Sequence, residues 1–261
     1  SFPMLFAAYA KGYQKHYGIP AEELEKMLWT AGALCYKNGE ENPLAHVRNG
    51  PSSVEEIMKL NELDAKGKCK NVMIAAPLRL HDCSLVTDGA AALVVTQTAN
   101  VSRRERAVEI AGIGHTAERL AENVRPNMHE LMAGKVAAAK AFSEAGITVA
   151  DIDFAEVHDC FTINMLLSTE ALGLSADGRA GFDFLDGRFT RDDRCPVNLS
   201  GGLKSKGHPV GATGASMHAL AYKQLIGEPI GVAAKKADVG VVFNVGGSAV
   251  TNCVTVLKAP R

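Results

Sequence analysis

An α/β fold is predicted, and three observations carry the prediction. From about residue 107 onward, short apolar runs of strand length alternate with amphipathic stretches at helical spacing. Two of the strand-like runs, 154–157 and 239–245, lead directly into segments rich in reactive or glycine residues. A third segment, 198–217, carries glycines at 201, 202, 207, 211 and 214 and opens into a helical pattern. With 261 residues and 47% hydrophobic content, the chain has enough apolar surface for one large or two ordinary domains. The net charge of −1 and the lack of a basic tract argue against nucleic acid or an anionic membrane surface as main partner. No apolar run reaches the roughly 20 residues that span a bilayer, so no membrane insertion is expected.

The first 65 residues read as helices. Phe2, Leu5, Phe6, Tyr9 and Tyr13 form one apolar stripe that stops near Gly18, and Leu24, Met27, Leu28 and Ala31 form a second behind Pro20. Residues 38–46 read as irregular, and Ser53-Val-Glu-Glu56 resembles a capping box ahead of Ile57, Met58 and Leu60. This part is expected to carry more surface than core. Residues 72–76 and 92–96 suit short buried strands. A charged break follows at 103–106. Beyond it the pattern predicts a strand at 107–113, a helix at 131–145 stopped by Gly146, a strand at 154–157 and a helix at 162–172 ended by Gly173. Residues 175–194, rich in Gly, Asp and Arg, read as a long surface loop. A helix after Thr213 and strands at 239–245 and 249–257 complete the chain.

Chemistry gathers at three junctions: His158-Asp-Cys-Phe161, Gly207-His-Pro209 and Asn244-Val-Gly-Gly247. Ligands collect where the strands of α/β sheets end. Two histidines and a cysteine, with glycine N–H groups nearby, are able to supply acid, base and oxyanion donors together. From the residues alone other readings stay open: a glycine-rich turn with a structural histidine, a zinc site of His158, Cys160 and His208, or Cys160 as an inert core thiol. The six cysteines (35, 69, 83, 160, 195, 253) form no C-x-x-C pair, which favours a reducing intracellular compartment over a disulfide scaffold.

These motifs resemble the thiolase superfamily, and within it the sterol-carrier-protein type. His158-Asp-Cys-Phe161 stands where ordinary thiolases carry Asn-Glu-Ala-Phe, and Asn244-Val-Gly246 where they carry Cys-x-Gly. The Gly207-His-Pro209 loop, the Gly-Gly run before it and the Gly-Ala-Thr-Gly after it are shared across the superfamily. Asn42-Pro-Leu-Ala and Asp88-Gly-Ala-Ala-Ala fit as well, so the resemblance covers essentially the whole chain. It implies the C-terminal layered α-β-α-β-α half at 104–261, with a mixed sheet. Residues 71–103 would be the last strands of the N-terminal domain, and 1–70 a helical loop domain with the remainder of that half.

The resemblance also implies roles. His208 would activate a nucleophilic cysteine and help hold the thioester oxygen. His158 would complete that oxyanion hole, directly or through a water. Cys160 would move a proton at the substrate α-carbon, its pKa drawn toward neutrality by a neighbouring protonated histidine. The N–H of Gly246 would stabilise the oxyanion of the acyl-enzyme. Ser205, Gly207 and Gly247 would contact coenzyme A, which with acyl-CoA enters as substrate. No permanent cofactor or metal is implied, and a homodimer or homotetramer is. The implied reaction is reversible cleavage of a 3-ketoacyl-CoA or the reverse Claisen condensation. The acyl-accepting cysteine of such enzymes is expected upstream of residue 1. A second His-Asp-Cys, at 81–83, falls outside the family's active-site loops and reads as chance, with Cys83 structural. A retro-aldolase acting on steroid side-chain thioesters and a non-catalytic acyl-CoA-binding subunit remain as alternatives. The carboxyl end, 258–261, is not a peroxisomal Ser-Lys-Leu address, and mitochondrion, peroxisome-like organelle and cytoplasm all stay open.

Overall fold

The computed structural model describes residues 1–102 and 106–260, so most of the charged break expected at 103–106 lies outside the described residues. Helices α1 (Phe2–Tyr17) and α2 (Ala21–Glu40) open the chain. The second outruns its expected end, because Asn38 and Gly39 are buried against the segment 198–205 and continue the helix rather than break it. Helix α3 (Val54–Lys59) starts as expected, with Ser53 Oγ accepting the N–H of Glu56 at 3.2 Å. The reciprocal bond is displaced by one residue: Glu56 accepts from the N–H of Ser52 at 2.7 Å.

The main sheet has four strands in the order β3–β6–β5–β4: β3 (Glu109–Ala117), β4 (Phe154–Val157), β5 (Val239–Gly246) and β6 (Thr251–Lys258). β6 runs antiparallel to both β3 and β5, while β4 and β5 are parallel, so the sheet is mixed as expected. Helix α4 (Met132–Ala145) packs on β3 and β6, close enough that a side chain at Gly112 or Gly114 would strike its backbone. Helices α5 (Thr162–Ala171) and α7 (Thr213–Leu225) begin where the candidate loops end, and α7 packs on β5.

Three expectations need correction. Far from being mainly surface, α1 and α2 contribute Phe6, Tyr9, Tyr13, Leu24, Met27 and Leu28 to the same apolar core as the sheet. Their stripes are wide enough to be covered on one side by α5 and by α6 (Ala180–Leu185). That helix lies within the stretch read as a surface loop, where Ala180, Phe184 and Phe189 turn inward against the polar average of their neighbours. The two buried strands expected at 72–76 and 92–96 do not form as such. β1 (Met73–Ala75) pairs only with the two-residue β2 (Leu78–Arg79), and Met73 and Ile74 are exposed. Residues 92–96 form no strand, and Val94 is 98% exposed. An apolar run becomes a buried strand only where a ladder partner and a covering layer meet it, and among the described residues nothing pairs with this one.

Candidate active site

Strand β4 and the glycine-rich segment are locked together residue by residue. Glu156 accepts from the N–H of Ser200 at 3.0 Å and from its hydroxyl at 2.6 Å. The N–H of Val157 donates to Asn198 Oδ1 at 2.7 Å. Asp159 then accepts the N–H groups of Leu203 (2.7 Å) and Lys204 (3.1 Å) and, from α2, the thiol of Cys35 at 3.3 Å. This last arrangement requires glycine at 202, since a Cβ there would lie 2.4 Å from Asp159 Oδ2. Gly207 (φ +121°) is similarly confined: a Cβ would sit 2.7 Å from the ring of His46.

These bonds bring His158 and His208 together. Their ring centroids are 5.2 Å apart and the planes meet edge to face at 87°. Each imidazole is held by its Nδ1. His158 donates from Nδ1 to Asn244 Oδ1 at 2.8 Å, the carbonyl oxygen being an acceptor only. Thr213 commits its hydroxyl proton to the carbonyl of Pro209 at 2.9 Å, so His208 Nδ1 is the donor in its 2.7 Å bond to Thr213 Oγ1. In both rings Nε2 is therefore the bare nitrogen, able to accept a proton or a water. Burial, with His208 and Lys206 adding repulsion, lowers the pKa of His158 to about 3; burial and Lys206 lower that of His208 to about 4. Both are neutral at physiological pH.

Cys160 follows at the β4–α5 junction, 6% exposed, its carbonyl accepting from the N–H of Ser84 at 2.9 Å. Burial first, and the charge of Asp159 second, push its thiol well above the ordinary range. The expected lowering by a protonated histidine is thus reversed, because the histidines beside this loop are buried and uncharged. Gly246 ends β5 opposite Thr251, and Gly247 turns outward with φ +63°. A cleft of about 1420 Å³ has Gly207 and Pro209 in its wall, on either side of His208, together with Lys206, Ser216 and the 88–96 segment. His208 itself, His158, Cys160, Gly246 and Gly247 are not among its lining residues. Ser205 does not fit a coenzyme contact: it is fully buried against Gly39, and its hydroxyl donates to the carbonyl of Val47 at 2.6 Å. Among the described residues no three histidine, cysteine or carboxylate side chains form a metal-holding group, and no helix is long and apolar enough to cross a membrane.

Four positions that hold the site escaped the reading of the sequence: Asn198, Asp159, Thr213 and Asn244. Each lies inside or beside a motif singled out there, and short polar side chains at loop junctions are the residues that satisfy local backbone and ring donors.

Residues 112–259 match the family described as Thiolase C-terminal domain-like. An acetyl-CoA acetyltransferase of Methanothermobacter thermautotrophicus is 35% identical over 99% of this chain and 63% of its own length. Sterol carrier protein 2 of Rattus norvegicus is 32% identical over 94% of this chain and 43% of its own. Among solved structures the Ltp2-ChsH2(DUF35) aldolase shares the fold, with a TM-score of 0.80 and 18% identity over 100% of this chain and 64% of that one. The chain thus spans less than two thirds of the length of these relatives. With more than half of its residues inside the matched domain, it belongs to the thiolase superfamily.

Proposed function

We propose that the complete protein is an acyl-CoA thiolase, transferring acyl groups between coenzyme A thioesters by cleaving 3-ketoacyl-CoA or by the reverse Claisen condensation. The observation that carries this reading is the pair of neutral imidazoles, 5.2 Å apart, each tied at Nδ1 and open at Nε2. The names of the acetyl-CoA acetyltransferase and sterol carrier protein relatives support the same class.

In this mechanism His208 Nε2 takes the proton of the attacking cysteine thiol. The resulting Nε2–H then donates to the thioester oxygen as negative charge develops there. His158 Nε2, an acceptor, holds a water whose own proton points at that oxygen. Cys160 shuttles the proton at the α-carbon. Held protonated by burial, the thiol gives its proton to the α-carbon of the enolate as the C–C bond breaks, and the thiolate left behind takes the proton of the incoming coenzyme A thiol. The N–H of Gly246 serves the oxyanion of the acyl-enzyme, and Gly207 and Gly247 admit the coenzyme arm without a side chain in its way. We place the acyl-accepting cysteine in the part of the relatives' length that this chain does not span. Cys83 is unsuited, since its Sγ donates to the carbonyl of Arg79 at 3.3 Å and burial pushes its pKa to about 11. A homodimer or homotetramer using coenzyme A as substrate, with no permanent cofactor or metal, belongs to the same proposal.

The test uses the complete protein with acetoacetyl-CoA and coenzyme A, following thioester cleavage and the mass of the acyl-enzyme. Cleavage with a covalent acyl adduct is the expected result, and Cys160→Ala is expected to lose cleavage of acetoacetyl-CoA while still forming the adduct by acyl transfer from acetyl-CoA. Acyl-CoA binding without any adduct would make this a non-catalytic subunit. Retro-aldol cleavage of a β-hydroxyacyl thioester without free coenzyme A would make it an aldolase.

A further inference from the structure

The turn that joins β5 to β6, residues 247–250, follows directly on the N–H of Gly246, and its backbone is unusual. Gly247 (φ +63°) and Ala249 (φ +59°) both lie in the left-handed region. For alanine that conformation is strained and persists only where the surroundings over-determine it.

Arg125 is the largest of those surroundings. It is 7% exposed and lies in the segment between β3 and α4. Its guanidinium reaches Ser248 twice, with Nη1 on the carbonyl oxygen at 2.6 Å and Nη2 on Oγ at 3.3 Å. The remaining donors go to Tyr9 Oη on α1 (2.6 Å) and to the carbonyls of Arg119 (2.8 Å) and Leu120 (3.3 Å). Two further bonds back the same turn. The N–H of Glu118 donates to the carbonyl of Val250 at 2.7 Å, and Asn252 Nδ2 to that of Ala249 at 3.0 Å.

No carboxylate among the described residues forms an ion pair with Arg125, although a buried guanidinium ordinarily has one. All five of its donors end instead on neutral oxygens, and two of those five bonds fix one residue of the turn. A lysine has the charge but lacks the planar fork needed to span the two Ser248 oxygens and Tyr9 at once.

We infer that Arg125 is a positioning residue for the second oxyanion site. Its fork fixes the Gly247–Ala249 turn so that the Gly246 N–H is preorganised, with a positive charge that pairs with no carboxylate among the described residues held on the same turn. The inference rests on the thiolase reading for its catalytic half only; the clamp itself is a statement about the turn.

The experiment takes the complete protein as wild type, Arg125→Met and Arg125→Lys, and measures kcat and KM for thiolysis of acetoacetyl-CoA together with amide hydrogen exchange across 244–252. Arg125→Met is expected to lower kcat about 10- to 100-fold with KM within about twofold, a fraction of the effect of deleting an oxyanion donor outright. Arg125→Lys should recover less than half of that loss on a logarithmic scale, and added methylguanidinium should partly restore Arg125→Met. Exchange at 246–249 should quicken in both variants while the β4 amides stay protected. A folded Arg125→Met with kcat within twofold of wild type, or exchange at the turn unchanged in either variant, overturns the inference. If Arg125→Met does not fold, Arg125→Lys and its exchange at the turn decide. A wild-type protein without thiolysis would instead refute the thiolase reading, and the exchange measurement would still decide the clamp.

Discussion

The chain contains His-Asp-Cys twice, and the fold lays the two copies side by side. Cys83 faces Phe161 in an antiparallel bridge, and the N–H of Ser84 donates to the carbonyl of Cys160 at 2.9 Å. Their surroundings differ at every position. His158 is fixed by Asn244 and meets a second imidazole, whereas His81 shares a 2.9 Å bond with the hydroxyl of Tyr36. Asp159 binds the backbone of a different loop; Asp82 accepts from its own turn, at the N–H of Arg79, and from Thr162. Cys160 is buried at a strand end, and Cys83 is half-buried and bonded to the carbonyl of Arg79. The tripeptide is therefore not the site. What distinguishes one copy is the second imidazole and the amide that sets the first one's tautomer.

The sharpest way to break this contrast is to remove each imidazole in the complete protein. His158→Ala should lower thiolysis by about 10²- to 10³-fold, the range for an oxyanion or acid–base group. His81→Ala should leave turnover within about twofold and cost about 1 kcal/mol of stability, because it strips the buried hydroxyl of Tyr36 of a partner. Steady-state rates beside urea unfolding curves read both. Equal losses of turnover would mean that the two copies work as a pair.

The next effect is smaller and concerns the supports. Asn244→Leu leaves His158 in place but removes the acceptor that keeps the proton on Nδ1. Loss of such an orienting partner costs on the order of 10- to 100-fold. Tyr36→Phe makes the corresponding change at His81 and should leave kcat unaltered. Asn244→Asp keeps an acceptor, and so should retain more activity than Asn244→Leu. If it does not, the amide acts by something other than fixing the tautomer.

Legibility in the sequence followed the same division. Elements with periodic apolar faces and clear stops were readable: β4 at 154–157 matched to the residue, and α4 ended at Gly146 as expected. Helix α6 was hidden because Asp, Arg and Gly around it mask the three inward residues Ala180, Phe184 and Phe189. The run 92–96 has the composition of a strand, but composition cannot supply its partner. At the site the reactive residues were visible and their electrostatics were not. Whether a histidine beside a thiol is charged depends on desolvation, and burial here keeps both imidazoles neutral and holds the thiol protonated. Ser205, which the resemblance places on coenzyme A, is packed against Gly39 with its hydroxyl on the carbonyl of Val47, and that packing cannot be read from the sequence.

In one respect the two copies should behave alike. Burial lowers His158 to about 3 and His81 to about 4, against about 6.5 in an unfolded chain. Between those limits the unfolded state binds more protons, so stability is complete above pH 6.5 and falls as the pH drops toward the folded values. The buried His158 steepens that fall by up to about 1.4 kcal/mol per pH unit, and the half-buried His81 by less, because solvent screens it. His158→Gln and His81→Gln should each flatten the acid limb of a stability–pH curve measured in urea. Activity thus separates the copies and acid stability does not. A flattening by only one of them would show that the other imidazole is protonated in the fold.

The smallest change expected is Cys83→Ala, and it is the most economical test of the contrast. The features of this segment that support the site are backbone ones: the Ser84 N–H on the Cys160 carbonyl, and the Lys204 ammonium on the carbonyls of Cys83 and Leu80. Alanine keeps all of them and deletes a half-buried sulfur whose hydrogen bond, to the carbonyl of Arg79, is weak and local. Stability should fall by no more than about 1 kcal/mol, and turnover should stay within about twofold. A tenfold loss of turnover at unchanged stability would give this thiol a part in the reaction, and the second copy would then belong to the site that its neighbours exclude it from.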